Sequence, residues 1–139
     1  MNEQHFFAWA AGFFDGEGWV TLMRSGSGSA DLRIGVTQND VRPLLMFQKA
    51  WGGHIRLTNN GRTSNWFTNK HDEQAKFIEA VKPYVVVKAD QLAVAQEYLS
   101  LSGVKDPVAR TALIPKLKEV RSRHGIDSYN VRHASETNQ

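Results

Sequence analysis

At 139 residues, with 41% hydrophobic content, four Trp and seven Phe, the chain can bury a real core and reads as one domain. It has no Cys, which excludes a disulfide framework and a Cys-based zinc site. No apolar run approaches about 18 residues, and the first residues lack the pattern of a signal peptide, so the expectation is a soluble intracellular protein without a membrane span. The formal net charge of +3 is unevenly spread: residues 1–17 carry three acidic and no basic side chains, whereas residues 18–71 carry seven basic and two acidic ones. A basic block beside an acidic segment suits a polyanion bound on one surface.

The first element is a helix. His5-Phe6-Phe7-Ala8-Trp9 has neither Gly nor Pro, and Phe6, Trp9 and Phe13 fall at i, i+3 and i+7, a stripe expected to be buried. Ala8, Ala11 and Gly12 lie on a second, small stripe where another helix backbone could approach closely. Gly16 and Gly18 are expected to stop the helix in left-handed conformations. Glu17 then stands at the helix C-terminus, where the macrodipole presents roughly half a negative charge. An acid in that place calls for a cation.

Trp19 to Arg24 alternates and reads as a strand, Ser25 to Ser29 as a flexible loop, and Asp31 to Thr37 as a half-buried strand with Leu32, Ile34 and Val36 inward. Asp40 is placed to cap a helix from Val41 to Trp51 that buries Leu44, Phe47 and Trp51 and stops at Gly52-Gly53. His54 to Thr58 and Thr63 to Thr68 form a second hairpin around Asn59-Asn60-Gly61. Asp72 opens a helix that carries Phe77, Ile78 and Val81 and ends at Pro83. Asp90 is expected to cap another, with Leu92, Ala95 and Leu99 in line. Asp106-Pro107 begins a last helix that Pro115 should kink or divide. From His124 to Gln139 the chain reads as a polar tail, expected to be mobile unless a partner orders it.

This order is α+β: helix, hairpin, helix, hairpin, then further helices, an αββαββα core with extra C-terminal helices. Helices on one face of a four-stranded antiparallel sheet leave the other face open. Thr21, Met23, Arg33, Thr37, Arg56, Asn65 and Phe67 would point there, a polar, basic and aromatic set suited to base edges in a major groove. A merely solvated face fits the alternation equally well. Arg42 lies in the first turn of a helix, where the dipole is positive, so it makes sense with an anion in front of it. Gln38 closes the preceding strand within reach of the same space. Lys88 follows the packed run Tyr84 to Val87.

Residues 10–18, Ala10-Ala11-Gly12-Phe13-Phe14-Asp15-Gly16-Glu17-Gly18, resemble the motif of the LAGLIDADG homing endonucleases, with Asp15 and Glu17 at the acidic positions and Gly12, Gly16 and Gly18 at the glycines. Val36 to Arg42 resembles the junction that supplies a Gln and an Arg to the cleavage pocket, and Lys82 to Lys88 the one that supplies its lysine. The resemblance spans roughly residues 5 to 105.

The motif occurs once, which in this family implies a homodimer, with Ala8, Ala11, Gly12 and Asp15 at the helix-to-helix interface. It implies double-stranded DNA as partner, a long near-palindromic target, and hydrolysis of phosphodiesters on both strands with staggered 3′ overhangs. Glu17, Gln38, Arg42 and Lys88 would be the catalytic residues. Glu17 and the Gly16 carbonyl would hold Mg2+, with Mn2+ or Ca2+ able to substitute for binding. No small-molecule cofactor is implied. Arg24, Asp31, Thr58 and Arg62 join the seven sheet residues as DNA contacts. A non-cleaving binder of the same fold, an intron RNA maturase or a transcriptional regulator, is the alternative. A glycosidase using Asp15 and Glu17 is disfavoured, because residues two apart at a helix end do not face one sugar from opposite sides. The five His residues show no metal-ligand spacing.

Overall fold

A computed structural model describes residues 1–58 and 60–125. In chain order the elements are α1 (Glu3–Glu17), β1 (Gly18–Arg24), β2 (Ala30–Gln38), α2 (Val41–Trp51), β3 (His54–Leu57), β4 (Ser64–Thr68), α3 (His71–Val81), α4 (Ala89–Ser100), α5 (Pro107–Thr111) and α6 (Leu113–Ser122). The four strands form one antiparallel sheet in the order β1-β2-β4-β3. The architecture is the expected α+β one. Among the described residues no helix is long and apolar enough to cross a membrane. Asn59, in the second turn, and residues 126–139 of the expected tail lie outside the described residues.

Alternation builds the sheet. Val20 and Leu22 of β1, Ala30, Leu32, Ile34 and Val36 of β2, and Trp66 of β4 are buried on one face. Against them pack Phe14 of α1, Leu44 and Phe47 of α2, Phe77, Ile78 and Val81 of α3, Leu92 and Ala95 of α4, and Leu117 of α6. The centre is aromatic: the Phe47 ring lies 5.2 Å from Trp66 and 5.3 Å from Trp51, and Phe77 lies 4.9 Å from Trp51, all three edge-on. Two polar side chains, Thr68 and Gln74, are fully buried with this core. Gln74 of α3 is fully buried, and its Nε2 donates to the carbonyls of Leu32 at 2.8 Å and Thr68 at 2.9 Å. It sits where the β2–β4 ladder ends at Ile34–Thr68, so an amide completes what the strands no longer can.

Several local expectations are corrected. The fully buried residues of α1 are Ala10, Ala11 and Phe14, whereas Phe6, Trp9 and Phe13 are half-buried at the margin beside Phe47 and Trp51. Gly18 does not leave the helix through a left-handed state; its φ is −86° and its ψ 165°. It is Gly because a Cβ there would stand 2.2 Å from Phe14 Cδ2. Asp90 is not the cap of α4. Lys88 occupies that place without a side-chain bond, and Asp90 faces Arg123 at 3.6 Å and His124 at 3.3 Å. Asp72 likewise lies inside α3, which begins at His71. The last helix divides at Ala112, ahead of Pro115, because a residue without an N–H is best placed in a first turn.

Candidate functional site

The site begins at the C-terminal end of α1. Glu17 is the last helical residue and is exposed, as is Gly16. The last turn of α1 contains no basic residue, and among the described residues nothing bonds or ion-pairs with the Glu17 carboxylate. A free carboxylate and the carbonyl end of a helix together make a locally negative point.

Gly18 pairs with Val36, so Glu17 stands at the end of the sheet where β2 runs out through Thr37 and Gln38 into α2. Gln38 turns its Oε1 inward to accept from the N–H of Asn39 at 2.8 Å and of Asp40 at 3.4 Å. Asp40 caps α2 as expected, accepting from Arg42 N–H. It also holds the Arg42 guanidinium, at 2.6 Å from Nη2. The hydrogen bonds from the Arg42 side chain and backbone lower the Asp40 carboxyl from 3.8 to about 2. The anion in front of Arg42 is therefore its own cap. The Arg42 side chain is 84% exposed, so this pair is a surface one open to exchange.

Lys88 is brought in from far along the chain. Asp15 accepts from the backbone N–H of Val86 at 2.8 Å and of Lys88 at 3.0 Å, while the Lys88 ammonium donates to the Asp15 carbonyl at 2.9 Å. Four sequence-identified residues thus gather at one end of the molecule, three around the β2–α2 junction and the end of α1, and Lys88 through Asp15. Two of the residues expected at a helix interface already have partners within this chain. Ala11 is fully buried in the core. The Asp15 carboxylate is committed to the α3–α4 loop. Ala8 and Gly12 are exposed, and a Cβ on Gly12 would meet nothing within 4 Å.

The open face of the sheet starts beside this point. The register places Trp19, Thr21 and Met23 of β1, Asp31, Arg33, Gly35 and Thr37 of β2, Asn65 and Phe67 of β4, and His54 and Arg56 of β3 on it. All seven residues expected there are present, together with Asp31. Arg24 is not: it pairs with Ala30 and shares the parity of Val20 and Leu22, emerging at the strand end. Thr58 and Arg62 belong to the second turn, where the Thr58 hydroxyl donates to Asn60 Oδ1 at 2.6 Å and Arg62 N–H donates to the same atom at 2.8 Å. Trp19 and His54 were missed by the sequence reading, although each shares strand parity with residues it selected. Trp19 Nε1 donates to Thr37 Oγ1 at 3.0 Å, and Thr37 Oγ1 donates to Asn65 Oδ1 at 2.5 Å. The guanidiniums of Arg33 and Arg56 each lie 5.3 Å from the centre of the Phe67 ring.

No protein-family model matches the chain, and no curated protein does. Solved structures do. The homing endonuclease I-CvuI, solved with target DNA, superposes over 97% of this chain and 95% of its own, with a TM-score of 0.74 and 24% identity. The fold is that of the LAGLIDADG homing endonucleases. The archaeal intron-encoded homing endonuclease I-Vdi141I, complexed with DNA, covers 95% of this chain and 93% of its own at a TM-score of 0.72 and 19% identity. The homing endonuclease I-TnaI covers 96% and 97% at a TM-score of 0.65 and 16% identity. Asp15 and Glu17 lie in the last turn of α1, and the open face of the sheet begins beside them.

Among the described residues no three His, Asp or Glu side chains cluster as a metal site. The chain offers one carboxylate and the carbonyl end of one helix here. That donor set is all oxygen and locally negative, which fits a hard divalent cation whose shell is completed by other oxygens.

Proposed function

We propose that the chain is a site-specific DNA endonuclease that works as a homodimer, cutting both strands of a long near-palindromic duplex and leaving 3′ overhangs. The observation that carries this reading is the unpartnered Glu17 carboxylate at a helix C-terminus, flanked by Lys88, Gln38 and Arg42 at the edge of an open basic sheet. The DNA present in the solved I-CvuI and I-Vdi141I complexes supports it.

Two copies meeting through the exposed Ala8–Gly12 stripe of α1 would bring two Glu17 side chains together. Like charges at two negative dipole ends repel unless cations sit among them, which ties dimerisation to divalent metal. Glu17 and the Gly16 carbonyl of each protomer would hold the ion. Bound there, Mg2+ supplies positive charge to the phosphodiester oxygens and acidifies water at neutral pH. Gln38 keeps its amide NH2 for ordering water, since its Oε1 is already occupied by Asn39 and Asp40. Lys88 spends one of its three N–H donors on Asp15 and keeps two for phosphate oxygens. Arg42 adds positive charge from the start of α2. The sheets of the two protomers, side by side, lay their open faces along the groove on either side of the cut.

A plasmid library with randomised near-palindromic inserts, incubated with Mg2+, tests this. Linear product is expected from the native chain and not from Glu17→Gln, which keeps its DNA binding. Cleavage by Glu17→Gln overturns the site. One observation favours the alternative of a binder that does not cut: the Arg42 guanidinium is ion-paired with Asp40. Intact DNA with tight sequence-selective binding would establish that alternative.

A further inference from the structure

Part of the open face is spoken for. Trp19, Thr37 and Asn65 hydrogen-bond one another across β1, β2 and β4. The two arginines differ: Arg33 on β2 and Arg56 on β3 carry guanidiniums that, among the described residues, make no ion pair, and both rest on one ring, Phe67 of β4. That ring is 6% exposed and fixed by strand pairing, with Gly35 opposite it on β2 and His54 opposite it on β3. A planar cation stacked on a rigid aromatic loses little freedom when it then meets a ligand edge-on.

We propose that Arg33 and Arg56 are the chief readers of sequence in each half-site, each donating its two-pronged edge to the O6 and N7 of a guanine in the major groove. This rests on the DNA-endonuclease reading and extends it to base identity. Arg is the side chain whose geometry matches guanine bidentately. The register separates the pair. Arg56 is level with Asn65 and Thr37 on the edge strand β3, and Arg33 lies on β2 beside β1, four residues from Thr37 toward the first hairpin loop. The two arginines therefore read different guanines of the half-site. Each guanidinium is 5.3 Å from the same centroid. They stand no more than about 11 Å apart, or about three base-pair steps of about 3.4 Å.

Enrichment of bound sites from a randomised duplex pool, using the full chain with Ca2+, tests the assignment. The expected pool shows two guanines per half-site within about three steps. Arg56→Gln should relax only one of the two and Arg33→Gln only the other, each by roughly ten- to a hundredfold in discrimination. Phe67→Leu, which removes the platform and leaves both arginines, should weaken selectivity at both guanines together. An enriched site without the guanine pair overturns the arginine assignment while sparing the endonuclease reading. So does equal relaxation everywhere in either arginine variant. No enrichment of any sequence overturns both.

Discussion

Asp15 and Lys88, 73 residues apart, close a two-way contact: the Asp15 carboxylate takes the Lys88 backbone N–H, and the Lys88 ammonium takes the Asp15 carbonyl. The first acid of the motif is thus a clamp on the loop that presents the lysine. Asp15→Asn replaces one accepting oxygen with a donor that cannot meet Val86 or Lys88 N–H. The expected result is a ten- to hundredfold lower rate of cleavage at saturating DNA, roughly the effect of misplacing a catalytic group by about 1 Å, with affinity nearly unchanged. Single-turnover kinetics beside equilibrium binding separates the two.

Gly12 and Ala11 are neighbours with opposite fates. Gly12→Leu puts its side chain into open space in the protomer, so folding should survive, while two α1 helices can no longer approach. Sedimentation should then show monomers on DNA and cleavage should vanish. Ala11→Leu overpacks a fully buried position and is expected to cost about 1–3 kcal/mol of protomer stability, measured by urea unfolding.

Arg42 is restrained by Asp40 and can be released. Asp40→Ser keeps an N-cap for α2 and removes the ion pair, so thermal stability should hardly move. The freed Arg42 is expected to add one phosphate contact, steepening the dependence of log affinity on log salt by about one. The same pair sets a pH limit. Asp40 is lowered from 3.8 to about 2, so its contribution is complete above pH 3.8 and disappears as pH falls through about 2. Between pH 5 and pH 8 the pair should not change, which NMR of the Arg42 Nε–H can follow.

Gln74 is the polar bolt of the core. Gln74→Leu removes both amide donations, to the carbonyls of Leu32 and Thr68, at an expected cost of about 1–3 kcal/mol. The variant should unfold at markedly lower urea concentration, with amide exchange rising first at the β2–β4 junction.

Much of this was legible in the residues. The α2 boundaries, both hairpins and the open-face set follow from alternation and from Gly and Asp punctuation, which are local signals. The depth of α1 was misjudged because Phe6, Trp9 and Phe13 are the largest apolar groups, whereas close helix packing put Ala10 and Ala11 deepest. The roles of Asp15 and Gln74 were not legible, since their partners lie 71, 73 and 42 residues away. Arg42 misled for the reverse reason. Its anion lies two residues back, and a cap that doubles as a counterion looks the same in sequence as a vacant cap.

On the proposed reading, the chain of hydrogen bonds from Trp19 through Thr37 to Asn65 makes the DNA-facing surface unequal to an engineer. Swapping Asn65 to accept a new base would also disturb Thr37 and the indole bonded to it on another strand, so the half nearest the end of α1 would resist retargeting one residue at a time. Met23 and Asp31 lie beyond that chain and would be open to single exchange.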